Sequence, residues 1–170
     1  DYWLGGPLTD SLDVREQGAS LLDALAAAGG VWARSPDDLL PGMTPDHNFH
    51  VFAVYPWLGL LQRNMNDHPR YVLDRCRIRW GTVVSVDAST AVVASAAIEW
   101  DGDLLGLGPH RTETVTLAKG PIRLADGVEP GDIVTLHWNW VCERISAERL
   151  EYLRRSTATH IDIANDRLEL

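Results

Sequence analysis

Soft and borderline donor atoms are scarce in this chain: two cysteines, Cys76 and Cys142, and six histidines, of which His47, His50 and His137 stand where chemistry is conceivable. His47 and His50 are three residues apart, so a helix would carry both on one face and offer half of a zinc site. A third ligand, Asp46, His68 or Cys76, would have to be brought close by the fold, and the Glu and third ligand of a hydrolase motif are missing. The alternative is a pair of polar histidines on a helix face. Cys76 opens a β-branched run and reads either as an accessible thiol or as a small buried hydrophobe. Cys142 lies among aromatic residues and reads as core. His137 on its own reads as a strand histidine bonded to backbone. No nucleophile elbow, phosphate-binding glycine loop, paired catalytic carboxylates or CxxC accompanies them, which leaves an enzyme with little support.

The elements that must position these residues fall into two textures. Leu12 to Ala28 carries Leu21, Leu22, Leu25 and Ala28 at helical spacing and stops at Gly29-Gly30. After a loop from Ser35 to Gly42, Thr44-Pro45-Asp46 resembles a helix start, with a hydroxyl at the cap and Pro at the first position. The apolar block His47 to Leu61 is then expected to be helical and to end or kink at Pro56. Asp67-His68-Pro69 is a turn signal, and the module boundary is placed near residue 68. Beyond it, strands are expected over Cys76 to Val86, Thr90 to Glu99, Arg111 to Leu117 and Asp132 to Arg144, with a short one at Leu104 to Leu107. Turn chemistry at Asp87-Ala88-Ser89, Asp101-Gly102, Lys119-Gly120-Pro121 and Pro130-Gly131-Asp132 separates them. Ser146 caps a closing helix that reaches about Ile163, with Glu148 in its first turn. The expected fold class is α+β: a helical N-terminal module over residues 1–68, and a small OB-like antiparallel β-barrel with a C-terminal helix over residues 69–170.

Strand alternation adds detail. Along Asp132 to Glu143, His137 would share a face with Thr135, Asn139 and Val141, while Cys142 would point away with Trp138 and Trp140, which would fill the barrel or pack the N-terminal module. Cys76 would share a face with Ile78 and Trp80. Arg75, Arg77 and Arg79 would face oppositely, raising the local positive potential and favouring the thiolate.

Composition bounds the partners. The formal net charge is -9, with 24 acidic against 15 basic residues, so nucleic acid is disfavoured. The longest apolar run, Val51 to Leu61, is broken by Pro56 and falls short of the roughly 18–20 residues that span a bilayer. Two cysteines make no disulfide framework, and a reducing cytoplasm is the simpler expectation.

From Cys76, the stretch Cys-Arg-Ile-Arg-Trp-Gly-Thr-Val-Val-Ser-Val-Asp is similar to the opening of HypC/HupF-type [NiFe]-hydrogenase maturation chaperones. Thr90-Ala91-Val92-Val93 matches that family's second strand. Gly127 to His137, with Pro130-Gly131-Asp132 at its centre, resembles the family's V-x-P-G-D-x-V-L-V-H passage and sets His137 on its histidine. Glu143 to Glu148 matches the strand end and acidic helix start, so the resemblance runs over residues 76–164. It implies a non-enzymatic role: carrying an Fe(CN)2CO fragment, through Cys76 and His137, between a HypD-like scaffold and the [NiFe]-hydrogenase large-subunit precursor. Such iron favours a soft thiolate with imidazole as a compatible second donor. In the family the cysteine is N-terminal and a Pro stands where Trp80 is; here Cys76 is internal. Residues before 68 have no counterpart in HypC, and His47 to Leu61 resembles an uncharacterised bacterial family. Two rivals remain: an interaction module with a HypC-like barrel and no metal, and a small zinc enzyme using His47 and His50.

Overall fold

A computed structural model describes residues 2–13, 18–20, 23, 44, 46–54, 57–63 and 67–168. Most of the helix expected over Leu12 to Ala28, the loop Ser35 to Gly42, and Pro56 lie outside these residues. Among the described residues the helices are α1 (Pro7–Asp10), α2 (His47–Phe49, continuing as a π-helical turn, His50–Val54), α3 (Trp57–Gln62), α4 (His68–Cys76) and α5 (Ala147–Leu168), and residues 18–20 and 23 are also helical. The strands are β1 (Arg79–Val86), β2 (Thr90–Trp100), β3 (Leu105–Thr116), β4 (Ala118–Lys119), β5 (Ile122–Arg123), β6 (Ile133–His137) and β7 (Trp140–Arg144). The fold is mixed α+β. Five strands close in the order β1-β2-β3-β7-β6, and β4 and β5 form a separate pair. Among the described residues no helix is long and apolar enough to cross a membrane.

Alternation builds the barrel interior. Val83, Ala91, Val93, Val115, Leu117, Val134, Leu136 and Val141 are buried together, each fully buried aliphatic side chain being worth about 1.5–3 kcal/mol. Trp138 and Trp140, expected to fill this interior or pack the N-terminal part, instead line a small outer cleft, and Trp138 is 39% exposed. A second core joins the N-terminal residues Val51, Phe52, Leu58 and Leu61 to Leu73 of α4, Ile98 and Leu105 of the β2–β3 hairpin, and Ile161 and Ala164 of α5. A third packs Leu4 against Ile78, Trp80, Leu150 and Leu153.

Several expectations change. Cys76 does not begin a strand; it is the last residue of α4, and β1 starts at Arg79. Pro69 in the first turn presets a helical φ, and Val72 and Leu73 bury the inner face. The segment Asp132 to Arg144 is a hairpin, because the chain reverses at Trp138-Asn139, between His137 and its cross-strand partner Trp140. Leu104 to Leu107 and Arg111 to Leu117 merge into one long β3. The barrel is not wholly antiparallel, since β3 and β7 meet in parallel at Thr116 and Trp140. Ser146 accepts from the Arg149 amide at 3.2 Å as the cap of α5, which runs on to Leu168.

A buried charge network pins α4 to the barrel. Asp74 Oδ1 accepts from Arg77 Nη2 at 3.0 Å and from the Ile98 amide at 2.8 Å, and Arg77 Nη2 also donates to the Ala96 carbonyl. Glu113 takes both Arg75 and Arg79.

Gly81 of β1 lies where no side chain fits: a Cβ would stand 2.3 Å from Val93 Cγ1 and 2.7 Å from the Ala94 carbonyl oxygen. Gly81→Ala is expected to cost about 1–3 kcal/mol by overpacking. For a chain of this size that lowers Tm by several degrees. A melt superimposable on wild type would contradict this packing of β1 on β2.

Candidate functional site

Cys76, His47 and His137 come from three different elements and meet. One donor atom from each lies within 4.8 Å of the others. Cys76 is delivered by the C-terminus of α4, His137 by the end of β6 and His47 by the start of α2. The thiol and the imidazole that the sequence singled out are therefore side by side, both only partly buried.

His47 is held from several directions. Asp46 caps α2 by accepting from the Phe49 amide at 2.9 Å, the His47 amide donates to the Tyr2 carbonyl at 2.8 Å, and Asn48 Oδ1 accepts from the Ile78 amide at 2.8 Å. The ring's Nε2 donates to the Cys76 carbonyl at 2.8 Å and lies 3.9 Å from Cys76 Sγ. A carbonyl only accepts, so Nε2 carries the hydrogen in this arrangement.

His137 is positioned by its turn. Trp138, the next residue, has φ of 52°, the left-handed region that non-glycine residues occupy at a cost. The conformation is clamped on both sides: the Trp138 amide donates to the Arg75 carbonyl at 2.7 Å, and its own carbonyl accepts from Arg79 Nη2 at 2.6 Å. The two imidazoles meet edge to face, with centroids 5.2 Å apart at 86°, and Trp3 lies 4.6 Å from His47 and 5.2 Å from His137, centroid to centroid. His137 Nε2 is buried and has no hydrogen-bond partner among the described residues.

Electrostatics keep the side chains of the site uncharged. Burial, then the charges of His47 and Arg79, lower His137 to a pKa of about 4. Burial also lowers His47. Both rings are neutral at pH 7, the state in which imidazole offers a lone pair to a metal. Burial pushes the Cys76 thiol up, contrary to the expected activation by Arg75, Arg77 and Arg79. Those arginines are engaged by Glu113 and Asp74 instead.

Other candidates separate. His50 is not one of the three grouped donors; its Nδ1 donates to the Asp46 carbonyl at 3.1 Å and its ring lies edge-on to Tyr2 and Phe49. Asp46 is occupied as a helix cap beside the buried His160, 4.0 Å away. His68 is exposed at the far end of α4. Cys142, expected to point away from His137, shares with it a cleft of about 580 Å³ that also includes Trp3, Leu4, Ile78 and Glu143. The alternation argument fails here because the residues sit on two strands and the register shifts between Thr135 and Leu136, opposite Cys142. Both cysteines are free thiols.

Residues 1–170 match the model of a family described as a family of unknown function, DUF6390. No curated protein matches the chain, and no solved structure does. The family match thus extends well beyond the segment, His47 to Leu61, whose sequence resembles an uncharacterised family.

Proposed function

The chain belongs to DUF6390, a family of unknown function, and from the geometry of its own site we propose that it is a non-enzymatic metallocentre-assembly protein. In this reading Cys76 and His137 hold an Fe(CN)2CO fragment as cargo, received from a HypD-like scaffold in the cytoplasm and passed to a [NiFe]-hydrogenase large-subunit precursor. The five-stranded barrel is read as OB-like, and the sequence resemblance of residues 76–164 to HypC supplies the identity of the cargo.

One observation carries the proposal: a thiol and a neutral imidazole, far apart in sequence, stand within 4.8 Å of each other in a partly open setting. A soft, low-spin iron favours thiolate, and a neutral ring adds a second donor without charge repulsion. Cys76 is protonated when empty, so loading the metal releases its proton to solvent. Partial burial leaves the site reachable by a cargo that must be taken up and then surrendered.

The test is to produce the chain anaerobically with a HypD-like scaffold and record infrared spectra of the purified protein. Cyanide and CO stretching bands are expected in the wild type and should vanish in Cys76→Ala. Wild-type protein that forms the scaffold complex yet never shows these bands would overturn the proposal. A second reading, an interaction module with no metal, is favoured by the raised pKa of Cys76, which is that of an ordinary packed thiol. It predicts that Cys76→Ala captures partners as well as wild type does.

A further inference from the structure

We infer that His47 is a third protein ligand, so that the N-terminal part and the barrel together form a tridentate site of one thiolate and two imidazoles. This rests on the metal-carrying reading above and deepens it, because residues before 68 have no counterpart in the HypC resemblance.

The placement of His47 is built rather than incidental. Its helix is capped by Asp46, bolted to the entry of β1 through Asn48 and Ile78, and covered by Trp3. Its Nε2 stands 3.9 Å from Cys76 Sγ. In centres with metal–nitrogen bonds of about 2.0–2.1 Å and a metal–sulfur bond of about 2.3 Å, neighbouring donors lie roughly 3–3.7 Å apart. The three donors, which lie within 4.8 Å of one another, must therefore draw together by up to about 1–2 Å to close the site. Independently, His137 Nε2 is buried without a partner, and such an atom is costly unless something binds it.

Loading balances simply. Cys76 loses its thiol proton to water and binds as thiolate. His47 gives up its bond to the Cys76 carbonyl, its proton moves to Nδ1 through solvent, and Nε2 turns its lone pair to the metal. Three protein donors, with the three diatomic ligands of the proposed cargo, make the six that a low-spin d6 iron requires. The chain alone would then complete the coordination, with no ligand from a scaffold. The same donor set suits borderline divalent ions such as Co(II).

Co(II) is the probe. Anaerobic titration of the full chain should give one equivalent bound, with a thiolate-to-cobalt charge-transfer band that Cys76→Ser removes. His47→Ala and His47→Gln should each weaken binding at least about tenfold and change the d–d bands. The Gln variant keeps a donor for the Cys76 carbonyl and guards against a folding defect, checked by its melt. His50→Ala should bind as wild type. Affinities of both His47 variants within about twofold of wild type, or no binding by the wild type, would overturn the inference. The two levels separate cleanly. Cobalt binding that depends on His47, with infrared bands never seen, sinks the cargo and leaves the site. Infrared bands undiminished in His47→Gln sink the third ligand and leave the cargo.

Discussion

Asp74→Ala is expected to destabilise the fold by about 3–5 kcal/mol, the cost of stranding a buried charge. The guanidinium of Arg77 is 1% exposed, and burial, opposed by Asp74, brings its pKa down to about 10, so it remains charged at neutrality. Removing the carboxylate leaves that charge on the Ala96 carbonyl and the Trp80 ring face and deprives the Ile98 amide of its acceptor. Desolvation is already spent on both groups, so the loss exceeds that of a surface ion pair several-fold. Urea unfolding should show the midpoint falling with little change in slope. Asp74→Asn, which can still accept from Ile98, should fall between the two. A loss for Asp74→Ala below about 1 kcal/mol would mean that the network contributes as little as an exposed pair. Because Cys76 lies two residues along the same helix, the variant should also loosen the site.

The second large effect is loss of stability in mild acid. His137, His47 and His160 all have pKa values pushed below the ordinary range, burial being the leading cause in each. In the unfolded chain these rings take up protons near pH 6.5. Between that value and their lower folded values, the unfolded state binds more protons than the folded one, so stability falls as pH falls. The contribution is fully present above about pH 6.5 and is lost towards about pH 4 for His137. His137 is only partly buried, and after discounting for solvent screening its share is on the order of 1–2 kcal/mol. Urea midpoints of the metal-free protein should drop between about pH 7.5 and about pH 5, before most carboxylates titrate, and His137→Gln should flatten the slope. A midpoint unchanged over that range would show that these rings are not held neutral by the fold.

Much of the barrel could be read from local chemistry. Thr90 to Glu99, rich in β-branched and small residues, is the body of β2, Pro130-Gly131-Asp132 marks the turn before β6, and Ser146 announces α5. The errors have definable physical sources. Arg75 to Arg79 alternates charged and apolar residues, which imitates a strand, but Pro69, Val72 and Leu73 had already set a helix that runs through Cys76. The hairpin at Trp138-Asn139 was hidden because its first residue takes a left-handed conformation with no glycine to signal it. Missing that reversal put Cys142 on the wrong side. The meeting of Cys76 and His137 follows from the resemblance and not from spacing, and spacing alone pairs His47 with His50. Its actual neighbour is 29 residues away, and sequence spacing carries no signal for contacts made by folding. Charge alone is visible in a sequence, which makes the arginines look like activators of sulfur; their partners Asp74 and Glu113 are visible only once the chain has folded.

The bond from the Trp138 amide to the Arg75 carbonyl joins the residue after His137 to the residue before Cys76. Sulfur and imidazole thus ride on a common mount. Through that bond the turn after His137 and the last turn of α4 are coupled, which favours a fixed spacing between the two donors. On the proposed reading, a bound group would be surrendered by reorienting the pair as a unit rather than by prising it apart.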